Sequence, residues 1–85
     1  MTNKSITLEL PEWANWIAQD EHGDVKTFSD EPHIHNDFIW FSTGLLRVQS
    51  KRFVMAQNWR DSKINLNTHG AFIDADGILR KVESK

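Results

Sequence analysis

The chain has 85 residues, four Trp, five Phe and no Tyr, which is enough for one hydrophobic core and not for two. It holds no Cys, so disulfides, thiolate zinc sites and cysteine nucleophiles are excluded. Net charge is −2, and no window approaches the roughly 18 apolar residues of a membrane span. The charge is unevenly placed: residues 1–44 set eight carboxylates against two lysines, and residues 45–85 set eight cations against four carboxylates. Such asymmetry marks either an interaction surface or two halves that a mixed sheet intermingles.

Met1 to Ser5 lead into alternating rather than continuous apolar sequence, so no signal peptide is expected and the protein reads as cytoplasmic. In Ser5–Leu10 the apolar Ile6, Leu8 and Leu10 alternate with Thr7 and Glu9, the period of a half-buried strand. Pro11 ends it, and Pro11–Asn15 reads as one helical turn that carries Trp13 and Trp16 to the same side. Trp16–Gln19 returns to extended chain. Asp20-Glu21-His22-Gly23 then has hairpin chemistry, since Asp bonds its own backbone and Gly supplies a positive φ. Val25–Phe28 is the returning strand.

His33–Asn36 reads as a connection or an edge. Asp37–Thr43 contains four consecutive large apolar residues, which predicts burial on both faces or one exposed ring. Leu45–Gln49 and Arg52–Ala56 are expected to be strands. A helix over Leu45–Trp59 is the alternative, disfavoured by β-branched and aromatic content and by Gly44 at the entry. For residues 58–66, either Asn58 caps a helical turn or Ile64 and Leu66 share a strand face. Ala71–Val82 contains a second Asp-x-x-Gly turn, Asp74 to Gly77, between apolar runs, and reads as a hairpin. Glu83–Lys85 is expected to fray.

The fold class expected is α+β and β-rich. Residues 1–85 should form a single small domain of five or six short antiparallel strands with one or two helical turns. The core should include Leu8, Trp13, Ile17, Val25, Phe38, Val48, Phe53, Phe72 and Ile78. Each buried ring contributes about 2–3 kcal/mol, in a domain stable by roughly 5 kcal/mol or somewhat more.

Chemistry is sparse. His33 and His35 share a face if extended, a spacing metals use, but no motif supplies a further ligand, so no metal or cofactor is expected. Asp74-Ala75-Asp76-Gly77 lacks the later carboxylate of a calcium loop. No nucleophile elbow, phosphate loop or dinucleotide fingerprint is present, and enzymatic activity is not expected. The leading expectation is a non-enzymatic binding protein that uses Trp40, Phe41, Trp59 and Arg60 in contact with a protein partner, because Trp and Arg dominate interface energetics. The alternative is a single-stranded nucleic-acid binder using Arg47, Lys51, Arg52 and Trp59 as a basic and aromatic patch. Homodimerisation through an edge strand is a further option.

Leu10-Pro11-Glu12-Trp13-Ala14, Trp16-Ile17-Ala18-Gln19-Asp20, Gly23, Pro32 and Asn58-Trp59-Arg60-Asp61-Ser62 together give the chain a family resemblance. It resembles a loose group of small uncharacterised accessory proteins encoded in tailed phages and prophages of Gram-negative bacteria. The resemblance implies action in the bacterial cytoplasm and a role in binding host or phage components, as an anti-host or accessory factor. It carries over no catalytic residue.

Overall fold

The computed structural model describes residues 9–50 and 55–82. Eight short strands run through the described residues: β1 (Trp16–Gln19), β2 (Val25–Phe28), β3 (His33–His35), β4 (Ile39–Phe41), β5 (Leu46–Ser50), β6 (Ile64–Asn65), β7 (Gly70–Ile73) and β8 (Leu79–Val82). The only helical piece among them is a three-residue 3₁₀ turn, Trp59–Asp61. The domain is therefore β-rich, with more and shorter strands than expected and less helix. The turn at Pro11 closes through the Ala14 amide on the Pro11 carbonyl and goes no further.

Antiparallel pairing builds a four-stranded sheet in the order β5-β2-β1-β6, and two separate hairpins, β3–β4 and β7–β8. Ile17 lies opposite Thr27 and Gln19 opposite Val25, while Trp16 lies opposite Phe28 and Ala18 opposite Lys26. Side chains alternate along a strand, so these sets occupy the two faces of the sheet. On the first face, Ile17 and Val25 pack with Ile64, Leu66, Ile73 and Leu79. On the second, Ala18 and Phe28 pack with Trp40, Ala56 and Trp59. The sheet thus lies between the β7–β8 hairpin and the β3–β4 hairpin. β1 is covered on both sides, and four consecutive residues, Ile17 to Asp20, are all buried.

Two of those four are polar, and each holds one hairpin. Gln19 faces β7–β8: its Nε2 donates to the Gly23 carbonyl at 3.0 Å and the Gly77 carbonyl at 2.7 Å, and its Oε1 accepts from the Leu79 amide at 2.9 Å. Asp20 serves the other side. Its Oδ1 accepts from the Trp40 amide at 2.9 Å, and its Oδ2 pairs with the Lys26 ammonium at 2.7 Å. The main chain of Gln19 meets Ser62 in place of a strand partner: the Gln19 amide donates to the Ser62 hydroxyl at 2.9 Å. The single hydroxyl proton then points to the Trp59 carbonyl at 2.7 Å or the Gln19 carbonyl at 3.0 Å.

The two Asp-x-x-Gly segments do form hairpin turns, and they match. Gly23 has φ 98° and Gly77 φ 83°. In each, the Gly amide bonds the Asp carbonyl and the Asp amide bonds the carbonyl four residues on. In each, the Asp carboxylate pairs with a cation six residues later, Asp20 with Lys26 and Asp74 with Arg80. Burial pushes the Asp74 carboxyl up. The Arg80 hydrogen bond and the Ile78 and Asp76 amides outweigh it and leave the carboxyl below its ordinary range.

Several expected core positions lie elsewhere. Ile17 and Val25 are core, and Ile78 is partly buried against the second cluster. Phe72 and Trp13 are half-buried. Phe38 and Val48 are exposed: Phe38 sits at a hairpin turn, and Val48 faces solvent across from Lys26. Leu8, Phe53 and the Ile6 part of the first expected strand lie outside the described residues, as does most of the strand expected at Arg52–Ala56. The alternative helix is absent from Leu46–Ser50, which is strand.

Replacing Gln19 by Leu keeps the volume and strands two carbonyls and one amide in the interior. Each unsatisfied buried group costs about 1–3 kcal/mol. Gln19→Leu should lose at least about 2 kcal/mol of unfolding free energy in urea titration, whereas Gln57→Leu, at an exposed position, should change it by less than about 0.5 kcal/mol.

Candidate docking face on the second hairpin

The β3–β4 hairpin turns through Asn36 and Asp37, with φ 55° and 62°, and closes by the Phe38 amide on the His35 carbonyl at 3.2 Å. Asn and Asp are the non-glycine residues that best tolerate this left-handed region. Because His35 pairs with Ile39, Phe38 is left over at the turn and projects to solvent, 57% exposed. The pairs His33–Phe41 and His35–Ile39 put four side chains on one face, and Ile34 and Trp40 on the other.

The inner face is firmly held. Trp40 is 4% exposed, its indole N–H donates to the Trp59 carbonyl at 3.0 Å, and its ring meets that of Trp59 edge-on at 6.5 Å. Lys63 covers both Trp40 and Trp16, with its ammonium 5.8 and 5.6 Å from the two ring centroids, and ends on Glu31 at 2.7 Å. Arg60 lies over the Trp59 ring at 4.8 Å and reaches the Asp37 carbonyl at 3.4 Å. Among the described residues no such cover lies on the outer face. Phe41 is 45% exposed, with its ring 5.5 Å from that of His35.

Beside this face lies a cleft of about 410 Å³, bordered by Asp30, Glu31, His33, His35, Phe41 and Thr43. The hydrogen bond and charge of Lys63 hold the Glu31 carboxyl below its ordinary range, and the nearby His33 adds to the effect. The chain leaves the face through Gly44, which packs so closely on Ser29 and Asp30 that a Cβ there would lie 2.4 Å from the Ser29 hydroxyl. That hydroxyl accepts the Leu45 amide at 2.8 Å. Leu45 and Leu46 then emerge exposed. A second cleft, about 300 Å³, lies between Trp59, Ala56 and Ile78. Its polar floor, Gln19 and Ser62, is already engaged in internal hydrogen bonds.

Of the contact residues expected from sequence, Phe41 and Arg60 are exposed. Trp40 and Trp59 lie in the core: both indoles are buried, Trp59 at 5% exposed, and they brace the hairpin from beneath. The patch weighed for nucleic acid is not brought together by the described residues. Arg47 is exposed on β5, Trp59 offers no open face for a base, and Lys51 and Arg52 lie outside the described residues. His33 and His35 do share a face, but no three His, Cys, Asp or Glu among the described residues gather in a metal-holding group.

Sequence reasoning missed Phe38 as a surface residue, Gln19 and Asp20 as buried anchors, and the part-buried Ser62 that bonds the Gln19 main chain. The first had a readable signal: Asn-Asp between two short β-prone runs is type I′ turn chemistry, and would have split His33–Thr43 into a hairpin. Comparison with protein-family models, with curated proteins and with solved structures finds no match to this chain.

The Asp37 backbone still carries strain that glycine would relieve. Asp37→Gly should raise unfolding free energy by a few tenths to about 1 kcal/mol, the gain at a left-handed position exceeding the entropic cost of glycine. A thermal melt measures it.

Proposed function

We propose that the protein is a non-enzymatic binding protein that docks on a host or phage protein in the bacterial cytoplasm, as an accessory or anti-host factor. The observation that supports this reading is the pairing of a braced inner face with an uncovered outer one. Phe38 and Phe41 stand exposed on a hairpin whose other side is fixed by Asp20, Trp40 and Lys63. Rings carried on a braced backbone need less ordering on binding than rings on a free loop, which suits an interface anchor. Leu45 and Leu46, a few residues further along the chain, are exposed as well. Arg60, at the Asp37 carbonyl, supplies a charged rim. No helix among the described residues is long and apolar enough to cross a membrane.

Site-specific photo-crosslinking tests the reading. With a photoreactive residue at position 38 or 41, expressed in a Gram-negative host carrying the phage or prophage proteins, the same discrete protein adduct should form from both positions. None should form from position 75, on the exposed turn of the β7–β8 hairpin. Adducts to nucleic acid instead, or equal labelling from all three positions, would contradict it.

A further inference from the structure

The cleft on the docking face is lined by two carboxylates, Asp30 and Glu31, and two imidazoles, His33 and His35, with no lysine or arginine. Glu31 gives one oxygen to Lys63, whose hydrogen bond and charge lower the carboxyl below its ordinary range. Asp30 is exposed, and the described residues provide it with no cationic partner; its one close polar contact is the Ser29 hydroxyl at 3.5 Å. The same cleft is lined by the half-exposed Phe41 ring, tilted 41° to His35. An aromatic face is the negative side of the ring quadrupole, so the carboxylates and the ring attract the same kind of group. A phosphate or a carboxylate would meet repulsion from both.

We infer that this cleft takes an arginine side chain from a basic segment of the partner protein, its guanidinium seated against Phe41 and paired with the carboxylates of Asp30 and Glu31. The inference rests on the docking reading above and names the partner's chemistry. A guanidinium is planar, is weakly hydrated, stacks on rings and presents a fork of donors to carboxylate oxygens. The ammonium of lysine has neither the plane nor the fork, so arginine is favoured over lysine. Phe38, at the turn of the same hairpin, and Leu45, just beyond Gly44, are then available to apolar side chains flanking the arginine.

The test is a titration of the full-length ¹⁵N-labelled chain with three capped hexapeptides, (Arg-Gly)₃, (Glu-Gly)₃ and (Leu-Gly)₃. The arginine peptide should give saturable shifts confined to residues 30–35 and 39–43. Asp30→Asn, Glu31→Gln and Phe41→Ala should each weaken it at least fivefold with dispersed, folded spectra. Glu12→Gln, an exposed carboxylate away from the cleft, should leave affinity within twofold. Shifts spread over all exposed carboxylates, no saturation, or an unchanged affinity in Asp30→Asn would overturn the inference. Saturation by the leucine peptide but not the arginine peptide would also overturn it and leave the docking reading standing. Failure of crosslinking at positions 38 and 41 removes the docking reading itself. Hairpin signals that move with protein concentration before peptide is added would make a second copy of this chain the occupant, against the inference.

Discussion

A strand covered on both faces has no solvent side for a polar residue, yet β1 ends in Gln19 and is followed at once by Asp20, both almost fully buried. Being adjacent, they point in opposite directions. Gln19 is bonded to the Gly77 carbonyl and the Leu79 amide of one hairpin, and Asp20 to the Trp40 amide of the other. Apolar contact between layers is tolerant of sliding, since hydrophobic burial is non-directional. Three hydrogen bonds of fixed direction are not. This dipeptide sets the position of both hairpins on the central sheet, and the rest of the fold is arranged around it.

The cost of burying an amide and a carboxylate is offset by how completely they are used. Gln19 spends both donors and an acceptor, and Asp20 receives one neutral and one charged partner. A fully satisfied polar group in a low-dielectric interior specifies one arrangement, whereas a half-satisfied one is a liability. The outward consequence is felt at β3–β4. Asp20 grips the Trp40 backbone, Trp40 grips the Trp59 carbonyl, and Lys63 covers the ring. With the inner side so engaged, the outer side can expose Phe38 and Phe41 without the hairpin collapsing onto itself.

The sequence makes the two Asp-x-x-Gly turns legible because glycine and aspartate have few other reasons to stand three apart between apolar runs. It makes β1, β2, β7 and β8 legible for the same reason. It does not reveal which rings are inside. Phe38, Ile39, Trp40 and Phe41 are contiguous and similarly apolar, and their separation into exposed and buried depends on a turn at Asn36–Asp37 and on a carboxylate twenty residues away. Trp59 is the same case: beside the local bond from Ser62, its carbonyl is held by the Trp40 indole nineteen residues away, a partner with no local signature. Of the four residues that interface statistics single out, Trp40 and Trp59 are buried, and Phe41 and Arg60 face outward.

Native-state amide hydrogen exchange tests the anchoring claim most directly. If Gln19 and Asp20 fix both hairpins to the sheet, the Leu79 and Trp40 amides that they accept should exchange only through the opening that frees the β1 and β2 amides. Their opening free energies should then agree with those of the central sheet to within about 0.5 kcal/mol. Exchange of either amide through a separate opening, lower by several kcal/mol, would mean that its hairpin comes away while the sheet stays folded, and the account would be wrong.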